Sequence, residues 1–72
     1  MPAIDLLSVV ALLQDHPANG LMRGQVGTVV ERLGNDIVEV EFSDADGRTF
    51  ALLPVPADQL LPLRYQPEVS AA

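Results

Sequence analysis

The sequence predicts a small, mainly β domain: five short strands curled into a barrel, with one short helical turn before the last strand. Three observations lead there. Val-rich segments flank a turn at Gly34-Asn35-Asp36, and the second of them alternates polar and apolar residues. A further turn signal, Asp46-Gly47, separates the next apolar segment. Pro54 then closely precedes Pro56-Ala57-Asp58-Gln59-Leu60, which reads as a single helical turn.

Taken in order, residues 4–13 fit two patterns. Paired apolar positions at Leu6/Leu7, Val9/Val10 and Leu12/Leu13 suit a helix, with Asp5 as its N-cap. A helical turn over residues 5–7 followed by a buried strand over 8–13 suits the same residues, and Val9-Val10 favours it. Periodicity leaves the two even. The barrel decides for the strand, because the sheet needs a strand there to cover its edge. With a helix instead, the alternative fold is a two-hairpin sheet with a helix at its N-terminus.

Residues 14–22 form a loop, marked by Asp15-His16-Pro17 and Asn19-Gly20. Residues 25–33 form the central strand. Gly27 inside it predicts a bulge or a close backbone approach, and a bulge there explains why Val26, Val29 and Val30 do not alternate. Residues 36–42 form the next strand, with Val38, Val40 and Phe42 on one face and Glu39 and Glu41 on the other. Residues 49–53 form a strand with Phe50 and Leu52 inward, ended by Pro54 and Pro56. Residues 61–65 close the barrel, and 66–72 read as a flexible C-terminal tail after a single domain over 1–65. The expected core is Val26, Val29, Val38, Val40, Phe42, Phe50, Leu52 and Leu60. This strand order is that of the SH3-like barrel.

Composition bounds the function. The chain has 72 residues and no Cys, so one domain is expected, without disulfides. Such a chain is marginally stable and needs very good packing or oligomerisation as support. Hydrophobic residues make up 49% of it, and the mean hydropathy is +0.26. That surplus predicts apolar surface left for a partner or a second copy. Ten acids against four arginines give a net charge of −6, which repels nucleic acid and anionic membranes. No apolar run is long enough to span a membrane, and the start shows no basic leader, so a cytoplasmic protein is expected.

The residues also resemble a known family. Arg23-Gly24-Gln25-Val26-Gly27-Thr28-Val29-Val30-Glu31, Val40-Glu41-Phe42, Asp46-Gly47-Arg48 and Pro56-Ala57-Asp58-Gln59-Leu60 are similar to the short bacterial proteins grouped as domain of unknown function 4926. Ser8 stands where that family's opening strand has Asp. The resemblance runs to about Leu63. It implies a stand-alone small β-barrel and no activity. Gly24-x-x-Gly27-x-Val29 is loosely similar to the KOW element of ribosomal and transcription-factor barrels.

No catalytic, cofactor or metal signature stands out. His16 is the sole histidine; Asp15 and Ser8 are its only neighbours in sequence that suit catalysis, and no motif arranges them. Asp44-x-Asp46-Gly47 begins like a calcium loop, but Arg48 and Val55 stand where ligands belong. It reads as a hairpin turn. Glu31, Glu39, Glu41, Asp44 and Asp46 form either a solvated face or a docking face for a basic partner. Arg23 and Arg48 are candidate anion contacts. Phe42 and Phe50 are expected to be buried, which leaves no aromatic platform for bases or for proline-rich peptides. The expectation is a non-catalytic interaction module that binds a protein partner or itself, with no small-molecule substrate. The alternatives are an antitoxin- or immunity-like neutraliser of a basic protein, a KOW-type nucleic-acid barrel, and a structural subunit of a larger enzyme.

Overall fold

The computed structural model describes residues 4–64. Its elements are β1 (Val9–Leu12), a 3-10 turn (Pro17–Asn19), β2 (Val26–Arg32), β3 (Ile37–Ser43), β4 (Thr49–Pro56), a second 3-10 turn (Ala57–Gln59) and β5 (Leu60–Pro62). All five strands lie in one antiparallel sheet, ordered β4-β3-β2-β1-β5. Residues 5–13 are therefore a turn and a strand, as the barrel required. The expected tail over 66–72, and Tyr65 at the end of the expected last strand, lie outside the described residues.

The sheet curls around a core but does not close, because β4 and β5 are not paired with each other. They cannot pair, because β4 and β5 run in the same direction and only Ala57–Gln59 joins them, whereas parallel neighbours need a crossover of about a dozen residues or more. Three prolines also leave gaps in the outer edges of these two strands. The N–H of Ala57 donates to the Asp36 carbonyl across β3, at 2.7 Å. Alternate residues of a strand direct their N–H groups alternately, so Pro54 and Pro56 have their nitrogens on the side away from β3. The N–H of Leu63 donates to the Val9 carbonyl of β1, at 2.9 Å. By the same alternation, the Pro62 nitrogen faces away from β1. The outer edges of β4 and β5 thus lack a donor at three positions. This also corrects the expectation that Pro54 and Pro56 end the strand at residue 53. Proline is tolerated on an edge strand when the missing N–H faces outward, and β4 pairs with β3 through Pro56.

The core contains Ile4, Val10, Leu12, Leu21, Val29, Val38, Val40, Phe42, Leu53, Val55 and Leu60. Val29, Val38, Val40, Phe42 and Leu60 were expected there; Val26, Phe50 and Leu52 are exposed instead. On β4 the reason is packing against β3. Phe42 is fully buried and sits opposite Ala51, so a large and a small residue share the inner layer, and Leu53 and Val55 follow in phase. Phe50 is the extra residue where the register shifts between Phe42 and Ser43.

Gly27 corresponds to the second of its two expected meanings. The bulge of β2 falls at Val30, where the register shifts between Val29 and Glu31. Gly27 faces the core, and a Cβ there would lie 2.6 Å from Val40 Cγ1 and 2.9 Å from the Glu41 carbonyl oxygen. The strand passes β3 too closely for any side chain.

Candidate functional site

The expected acidic face divides into two parts. Glu31 and Glu39 are direct partners across β2 and β3. Glu41 lies two residues further along β3 on the same outer face, opposite Thr28 of β2 and Leu52 of β4. Asp44 and Asp46 lie beyond β3 in the turn to β4. There Asp44 builds the turn: its Oδ1 accepts the N–H of Asp46 at 2.9 Å and of Arg48 at 3.0 Å. The calcium-like pattern is therefore occupied by backbone hydrogen bonds. Among the described residues no group of His, Cys, Asp and Glu is arranged to hold a metal ion.

The two candidate anion contacts occupy different settings. Arg23 lines a shallow cleft of about 510 Å³, whose wall includes Thr28, Glu41 and Ser43. Its backbone N–H donates to Asp15 Oδ1 at 2.7 Å. Arg48 belongs to the β3–β4 turn and does not line that cleft.

His16 is half-buried, and its backbone pairs with Leu21 in an isolated bridge. Its Nε2 is buried without a hydrogen-bond partner among the described residues. The two neighbours that suit catalysis are engaged elsewhere: Asp15 accepts from the Arg23 backbone, and the Ser8 hydroxyl donates to the Asp5 carbonyl. No nucleophile–base pair is assembled around this imidazole.

A second, larger concavity among the described residues lies where the sheet fails to close. It has a volume of about 950 Å³ and is lined from both ends of the sheet. Ile37, Val38 and Pro56 come from the β3–β4 side; Leu13, Leu60 and Leu61 come from the β1–β5 side. Ile4 lines it as well and is held by its carbonyl, which accepts from Arg32 Nη2 at 2.9 Å. Four charged residues also line it: Arg32, Arg64, Asp36 and Asp58. Residue patterning missed this groove because it depends on which two strands are left unpaired. The available signal was the short connection between the last two strands, too short for them to pair with each other.

The described residues define a small, mainly β domain built on one five-stranded antiparallel sheet. A family model described as Domain of unknown function (DUF4926) matches residues 6–62, most of the chain, and the chain belongs to that family. No curated protein and no solved structure matches it. Among the described residues no helix is long and apolar enough to cross a membrane.

Proposed function

We propose that the chain is a non-catalytic interaction module that binds a protein partner or a second copy of itself, in the bacterial cytoplasm. One observation supports this most: the large amount of apolar surface. Among the described residues, eleven large hydrophobic side chains are exposed, against twelve hydrophobic residues that are buried, the eleven of the core and Ala11. Isolated exposed apolar residues are ordinary on a protein surface, but a surplus that nearly equals the core points to an interaction surface.

The Glu31–Glu39–Glu41 row supports a second reading, a docking face for a basic protein that this chain neutralises. Such binding is fast and weakens as salt rises. Phe50, exposed rather than buried as expected, supplies an aromatic ring at the surface. The net charge of −6 still opposes nucleic acid. The experiment is recovery of the tagged full chain from its source cells, with mass measured by light scattering and composition by mass spectrometry. A defined complex, homomeric or heteromeric, is expected. Recovery as a lone monomer at every salt concentration contradicts the reading.

A further inference from the structure

We infer that the groove at the open seam is a two-fold interface between copies of this chain. The inference rests on the reading of the chain as an interaction module and says which partner occupies this surface. Charge distribution favours the second copy. Among the described residues the groove holds two of the four arginines and two of the nine carboxylates, so their surplus of five negative charges lies wholly outside it. It is the apolar, locally neutral part of an acidic protein, and two acidic copies meet there with least repulsion. A basic partner gains no net attraction at such a site.

A two-fold interface uses the same patch on both partners, so that patch must complement itself. A groove lined by the exposed Leu13, Ile37 and Leu61 together with charges of both signs satisfies that condition. Strand-to-strand joining at the seam is blocked, because Pro54, Pro56 and Pro62 leave gaps in its row of donors. The contact is therefore made by side chains in the groove. It also supplies the support that a small domain without disulfides needs.

The test is the solution mass of the purified full chain, by light scattering from micromolar to millimolar concentration and across salt. The expected limit is twice the 7.7 kDa chain mass. Association should tighten as salt rises, because salt screens the repulsion between two like-charged copies. Leu61→Asp and Ile37→Asp, on opposite walls of the groove, should each weaken association about tenfold or more by burying an uncompensated charge. Leu52→Asp, at a side chain 53% exposed on the outer face of β4, should leave it unchanged. Circular dichroism checks the fold of each variant, and either groove variant alone suffices. A monomer at all concentrations overturns the inference, as does a dimer broken by Leu52→Asp and not by the groove variants. If the purified chain is monomeric but the cells yield a heteromeric complex, the two-fold interface falls and the interaction module stands. A monomer in both settings removes both.

Discussion

Gly27→Ala places a methyl group where the inner layer has no room. The new carbon would lie 2.6 Å from Val40 Cγ1, 2.8 Å from Phe42 Cδ1 and 2.9 Å from the Glu41 carbonyl oxygen. Val40 and Phe42 are fully buried, so their rotamers have little freedom to retreat. The third neighbour is backbone, so relief requires β2 and β3 to move apart. Overpacking of this kind costs about 1–3 kcal/mol, offset by about 0.5–1 kcal/mol because Ala loses less backbone freedom in a strand than Gly. The expected net loss is centred on about 1 kcal/mol, against a total stability of about 4–11 kcal/mol for a chain of this length. With a urea dependence of about 1 kcal/mol per molar, the unfolding midpoint should fall by about 1 M. Gly27→Val adds two further methyls and should leave the chain largely unfolded. Gly34→Ala is the control: nothing lies within 4 Å of its added carbon, and its midpoint should hold or rise. A Gly27→Ala midpoint equal to wild type would refute the close approach of β2 to β3.

Three other outcomes follow from the same packing. Phe42→Ala should cost about 3–5 kcal/mol by chemical denaturation. Phe50→Ala, at a ring 48% exposed, should lose well under half as much; equal losses would mean that β4 faces the other way. Glu39→Lys should stabilise the sheet by about 0.2–1 kcal/mol, because it replaces a like-charge pair with Glu31 by an opposite one; thermal melts at low salt measure it. Asp44→Ala removes the acceptor of two backbone N–H groups and should cost about 0.5–1.5 kcal/mol, seen as faster amide exchange at Asp46 and Arg48.

The strand over 37–43 was legible because its two faces differ in chemistry: Val38, Val40 and Phe42 against Glu39 and Glu41. The facing of β4 was not. From Phe50 to Val55 every residue is apolar, so no contrast marks the inner face, and size pointed the wrong way. Ala51 is inward because Phe42 lies opposite, which only the pairing reveals. The β2 bulge lies at Val30, which carries no local signal, while Gly27 carried one for a different reason. Pro54 and Pro56 read as terminators, because a sequence does not show whether a strand is an edge. Ile4 and Leu21 enter the core from outside the strands, and nothing in their local pattern marks them. The acidic row was legible as alternation. The groove was not, because it is a property of the whole sheet.

The most direct measurement is a dilution series of methyl nuclear magnetic resonance spectra of the full chain. If copies meet at the open seam, the signals of Leu13, Ile37 and Leu61 move together with concentration, and those of Val26 and Leu52 stay fixed. Movement confined to Leu52 and Val26 would place the contact on the outer face, and spectra unchanged at every concentration would mean that the groove has no second copy to meet.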